Sequence, residues 1–136
     1  LDPAFPLSGQ RTSTADDPHT EYSGSIFWRV MTPAFPHFFI WNSVPLHPHD
    51  VGDPLTIRTP RRTEVRAWSS LTQGLLDAMQ PDRIVAIGRK AERAFNELEA
   101  DPTYVRHPSH GGAKKFAKGM EAILRDMNLP TASSGA

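Results

Sequence analysis

Seven consecutive residues, Arg106 to Gly112 (RHPSHGG), carry the densest chemistry in this chain. A stiff proline follows His107, then come the Ser109 hydroxyl, a second imidazole at His110, and two glycines that let backbone approach a ligand closely. Lys114 and Lys115 follow at the start of a helix. Backbone amides at a helix N-terminus, with Ser109 and these lysines beside them, make a phosphate-contact surface. The same string also reads as a plain turn joining a strand to a helix, and residue types alone do not separate the two readings. Asn42, at the end of the apolar run FFIWN, poses a similar choice. Its amide offers one acceptor and a two-proton donor that can match a nucleobase edge bidentately, or it caps a strand end and orders the next turn.

Other clusters carry less. His47, His49 and Asp50 in LHPHD have metal-ligand residue types, but no second His/acid cluster with ligand spacing follows, and Pro48 points to a shaped loop. No metal and no cofactor are expected. Gly88-Arg89-Lys90, after the apolar run RIVAI, is too short for a phosphate cradle and reads as an ordinary strand-to-helix turn, since neither GxGxxG nor GxxxxGK[ST] is present. Without GxSxG, a Ser-His-Asp hydrolase has no support.

The length of 136 residues suits one compact domain over 1–136, with 1–20 irregular and 130–136 a flexible tail. Zero cysteine excludes a disulfide scaffold, a thiolate-held iron–sulfur cluster, a Cys-based zinc site and a thiol nucleophile. The formal net charge of zero conceals an asymmetry. Residues 1–53 carry six acidic side chains against two arginines, and residues 54–136 thirteen basic against nine acidic. The basic half is the one expected to meet a polyanion; its stretch 104–118 holds Arg106, Lys114, Lys115 and Lys118 with no acid, though a solvated helix face gives the same pattern. No apolar run approaches the roughly 18 residues of a membrane span, and no signal segment opens the chain, so a soluble, cytoplasmic monomer is expected. The chain starts at Leu1 rather than methionine, which suggests a fragment or a processed piece.

These residues need elements to hold them. Residues 22–31 read as a helix. His37 to Val44 (HFFIWNSV) is a short aromatic, β-branched run that suits a buried strand. A long Pro/His/Asp loop over 44–60 follows, of a length usually tied to function. Thr59 then predicts an N-cap with Pro60 at the first helical position, ahead of Val65, Trp68, Leu71, Leu75 and Met79 at helical spacing. Arg83 to Gly88 reads as a second strand, Lys90 to Leu98 as a helix, and Tyr104 to Arg106 as a third strand. The last helix sets Phe116, Met120, Ile123, Leu124 and Met127 on one stripe. Such alternation predicts an α/β class with parallel strands and crossover helices, and it brings the segments after Trp41, Ile87 and Val105 to one sheet edge.

FFIWNSVPLHPHD, RIVAIGRKA and YVRHPSHGGAKKF, in this order and at these separations, resemble the uracil-DNA glycosylase superfamily. The resemblance covers about residues 25–127, and its most specific elements are the His-Pro-Ser loop and the strand-terminal Asn. It implies a three-layer α/β/α sandwich around a parallel sheet of about four strands, which flips a base from DNA and hydrolyses its N-glycosidic bond. By position, Asn42 would read the edge of the flipped uracil, and His107 would stabilise the departing base anion. Pro108, Ser109, His110, Gly111 and Gly112 would form the loop that presses into the minor groove, with Ser109, Lys114 and Lys115 on phosphates. The family's water-activating turn is led by glycine after the first strand and often ends in an acid followed by proline; here that strand and glycine are absent, and Asp2-Pro3 is either the remnant, which would make Asp2 the water positioner, or a chance pair in a proline-rich terminus. Where the family stacks an aromatic on the base, this chain departs from the pattern: the stretch SGQRTST offers only Thr12, and Phe5 is a poor substitute. Zero cysteine selects the cluster-free branches. The partner implied is uracil-containing or otherwise modified DNA, and the alternative is a non-catalytic nucleic-acid- or base-binding homologue.

Overall fold

The computed structural model describes residues 22–132. Asp2, Phe5 and Thr12 lie outside them, as do residues 133–136.

The first helix, α1, runs Tyr22–Met31, the span its sequence predicts. Its buried positions Ile26, Phe27, Val30 and Met31 form one stripe, and a 3₁₀ turn at Thr32–Ala34, opened by Pro33, ends it. The stripe packs against the last helix, α5 (Ala113–Asp126), which buries Phe116, Met120, Ile123 and Leu124. Phe27 and Phe116 meet at 6.1 Å between ring centroids, and Phe116 is fully buried. The four-residue spacing of Phe116, Met120 and Leu124 therefore does what its periodicity predicts, with Met127 packed at the edge. Thr131 is buried as well, so the chain beyond α5 still lies on the body of the protein.

Two three-residue strands, β1 (Val85–Ile87) and β2 (Thr103–Val105), pair in parallel with Ala86 opposite Tyr104. Helix α4 (Arg89–Asn96) connects them, giving the βαβ unit expected of an α/β chain. Both strands fall inside or within one residue of the predicted segments. Among the described residues the sheet has these two strands, against the four of the full sandwich.

His37 to Val44 is not a strand. The segment has no ladder partner among the described residues, and Phe39 and Ile40 stand 55% and 49% exposed. An aromatic, β-branched run suits a half-buried pleated surface, but it becomes a strand only where a neighbouring backbone is in register. What anchors it here is side-chain contact: Trp41 Nε1–H donates to Thr72 Oγ1 at 3.2 Å, and the Trp41 ring stacks on Phe39.

The helix expected from Thr59 starts later and is broken. Helix α2 covers Arg62–Ala67 and α3 covers Ser69–Met79, with Trp68 between them. Thr59 does not cap: Arg61 is the N-cap residue, and the Thr59 hydroxyl accepts from Lys90 Nζ at 2.7 Å. Glu64 begins the helix instead, accepting the Arg61 backbone N–H at 2.7 Å. At the break, the Ser69 hydroxyl donates to the Arg66 carbonyl and the Thr72 hydroxyl to the Trp68 carbonyl, side-chain bonds that compete for helical acceptors. Leu71 and Met79, expected on the buried stripe, are exposed. No described helix is long and apolar enough to cross a membrane.

Candidate active site

Residues 106–112 join β2 to α5, and the loop is built around one imidazole. The Ser109 backbone N–H donates to His107 Nδ1 at 3.2 Å, and the Ser109 hydroxyl lies 2.7 Å from the same nitrogen. A backbone amide can only donate, so Nδ1 is an acceptor and the hydroxyl also donates to it. The neutral ring then carries its proton on Nε2. Proline at 108, which is buried, holds the turn that brings Ser109 back onto its neighbour.

Arg106 closes the loop from outside. Its guanidinium donates to the carbonyl of His107 at 3.1 Å and to that of Ser109 at 3.4 Å, a planar fork spanning two peptide groups. Gly112 closes it from inside: its N–H donates to the Ser109 carbonyl at 3.0 Å, and a Cβ there would collide with the carbonyl oxygens of His107 and Ser109. Only glycine permits that approach. Helix α5 starts at the next residue, Phe116 N–H donating to the Gly112 carbonyl at 2.8 Å. Of the remaining predicted loop residues, His110 and Gly111 are exposed at the turn's tip, while Lys114 and Lys115 are exposed on the first turn of α5.

The structure brings Asn42 and His107 to one cleft of about 1740 Å³, whose walls also include Leu46, Ile57, Lys90 and Pro108. Asn42 is exposed. Of the three segments expected to converge, those after Ile87 and Val105 meet, Gly88 N–H donating to the Val105 carbonyl at 2.8 Å, while the segment after Trp41 is not a strand and shares only the cleft wall. The 44–60 loop that borders the cleft is stitched at its base by Arg58. Its Nε donates to the His49 carbonyl at 2.9 Å, and its two terminal nitrogens hold the Glu64 carboxylate at 2.8 and 2.6 Å. That hydrogen-bonded pair, with the Arg61 amide behind it, lowers the Glu64 carboxyl to about 2 and raises Arg58 above its ordinary value.

His47 and His49 stack with their rings 6.0 Å apart, and His49 Nδ1 lies 2.9 Å from the Asp50 carbonyl. No three His, Asp or Glu residues among the described ones are grouped to hold a metal ion. Two residues that residue-type reasoning passed over belong to the site. Arg106 opens the RHPSHGG string and belongs to the basic patch, but its place directly before His107 is the signal for a loop clamp that neither reading drew. Gly88, read as an ordinary turn, is buried directly against the His107 side chain. Arg89, next to Gly88, pairs with Glu92 at 2.7 Å and stacks over the Tyr104 ring at 4.1 Å.

Searches among curated proteins and among solved structures return no match to the chain. The model of the uracil DNA glycosylase superfamily matches residues 7–128, which takes in the Asn42 segment, the βαβ unit and the whole His107 loop. A match over that share of the chain places this protein in the uracil DNA glycosylase superfamily.

Proposed function

We propose that this protein is a DNA glycosylase that hydrolyses the N-glycosidic bond of a flipped uracil or related base during base excision repair. The observation that carries the reading is the His107–Ser109 pair, which commits Nδ1 as an acceptor and keeps an N–H donor on Nε2. Cleavage sends the bonding pair of C1′–N onto the base, leaving an anion, while positive charge develops on the sugar. A donor already held in place stabilises that anion most when the charge is fully formed, which is where catalysis gains. Asn42, on the same cleft, reads the base edge, and a wrong edge leaves its polar groups unmatched.

In this reading Asp2 takes a proton from the attacking water as its oxygen bonds to C1′. Pro108, Ser109, His110, Gly111 and Gly112 press on the minor groove, and Lys114 and Lys115 meet phosphates. The partner is uracil-containing or otherwise modified DNA, bound by a monomer in the cytoplasm with no cofactor. The fuller α/β/α sandwich around about four strands belongs to the same proposal.

The test is a duplex with a single uracil, incubated with the protein and cleaved by alkali at abasic sites. Wild type should cut the strand, and His107→Ala should lower kcat by about 10²–10³, the usual cost of one such donor. DNA binding without abasic sites would exclude the enzyme and leave the base-binding homologue.

A further inference from the structure

Position 88 is where the two crossover loops of the sheet touch. Gly88 ends β1, and its N–H donates to the Val105 carbonyl at 2.8 Å, two residues before His107. That bond fixes how far the β1–α4 turn stands from the start of the His107 loop. Gly88 is buried, and its backbone has φ 91° and ψ 159°, a region reached almost only by glycine. A Cβ built there would meet His107 Cβ at 3.1 Å and its ring carbons Cγ and Cδ2 at 3.7 Å each. The side chain of His107 therefore lies beside the space that a side chain at position 88 would occupy. The opposite edge of the ring, at Nδ1, is held by Ser109.

The two contacts act on different degrees of freedom. Ser109 fixes which nitrogen carries the proton. Gly88 leaves open the space beside the His107 Cβ, which lets residue 107 sit where Ser109 reaches its Nδ1. We propose that Gly88 is a positioning residue for the reaction: its missing side chain sets the place of the His107 imidazole, and hence of the Nε2 donor. This rests on the reading of His107 as the group that stabilises the departing base.

A methyl group at position 88 must push residue 107 by a few tenths of an ångström, and misplacement on an ångström scale is enough to cost about 10²-fold in rate. Gly88→Ala should therefore lower kcat for uracil excision by about tenfold to 10²-fold with KM for DNA little changed. It should also move the ¹⁵N imidazole shifts of His107, which in the wild type should show a bare Nδ1 and a protonated Nε2. A glycine serving only its own backbone would leave those shifts where they are.

Thermal unfolding of Gly88→Ala, His107→Gly and the double variant completes the test. His107→Gly removes the Cβ and ring that the new methyl group would meet, so the double variant should recover part of the melting temperature lost by Gly88→Ala, or fold where Gly88→Ala alone does not. The proposal is overturned if Gly88→Ala folds with wild-type imidazole shifts and kcat. It is overturned equally if Gly88→Ala costs as much in the His107→Gly background as alone, or prevents folding in both. Absence of uracil excision by the wild type would remove the glycosylase reading, while the imidazole shifts and the unfolding cycle would still decide the role of Gly88.

Discussion

His107 Nδ1 receives two donors from one residue, the backbone N–H of Ser109 at 3.2 Å and its hydroxyl at 2.7 Å. A residue two positions along thus dictates the tautomer of its neighbour, and the assignment follows from the amide, whose proton cannot be repositioned.

Ser109→Ala removes one of those donors and keeps the other. The tautomer should survive while the ring loosens, at a cost of about 1 kcal/mol, or about fivefold in kcat. Single-turnover kinetics on a saturating uracil-containing duplex should show this. A loss as large as that of His107→Ala would mean that the hydroxyl does more than hold the ring.

Arg106→Gln withdraws the fork from the carbonyls of His107 and Ser109. Charge-assisted bonds to half-buried carbonyls make this a loss of about 1–2 kcal/mol in stability. Amide hydrogen exchange at Ser109 and Gly112 should accelerate, while exchange within α1 should change little. Equal acceleration in both places would show that Arg106 supports the whole protein rather than its loop.

Acid should weaken the 44–60 loop before it reaches the apolar core. The Glu64 carboxyl is held at about 2, against an ordinary 4.5, first by the Arg58 guanidinium and then by the Arg61 amide. A carboxyl depressed on folding contributes stability that is complete above its unfolded value and is lost as pH falls from 4.5 towards 2. Glu97, lowered by Arg62 and Arg66, adds in the same direction. Melting temperature measured against pH should fall through that window, and Glu64→Gln should make the fall shallower.

Replacing Lys114 and Lys115 with glutamine should weaken DNA binding on every sequence alike and flatten its salt dependence. Every phosphate left without its lysine takes about 0.9 off the slope of log affinity against log salt. Titrations at several salt concentrations would show it. An unchanged slope would take the start of α5 out of the DNA interface.

The elements whose signals are local were readable in the chain. The apolar stripes of α1 and α5 each need only one partner face, and each finds the other through Phe27 and Phe116. The apolar runs around Ala86 and Val105 became strands because the α4 crossover delivers each to the other. What the chain did not reveal depends on residues far apart in sequence. Thr59 is a good cap by type, yet Lys90, 31 positions later, takes its hydroxyl. The run FFIWN has strand composition but lacks a backbone in register, and Trp41 is tied instead to Thr72, again 31 positions away. In the site, His107, Ser109 and Asn42 stood out because their side chains carry chemistry. Gly88 did not, because its contribution is a missing atom, and only the packing shows what that atom would have struck.

Gly119, on the face of α5 that meets the sheet, has Val105 Cγ1 3.0 Å from where its own Cβ would be. The helix therefore lies almost against the strand, and the two ends of the 106–112 loop are carried by one block. Ordering a free backbone costs about 1–2 kcal/mol per residue. In this loop that entropy is surrendered when β2 and α5 pack, before any ligand arrives, so binding at the loop should show a smaller entropic penalty and a faster encounter than binding that must first fold a segment.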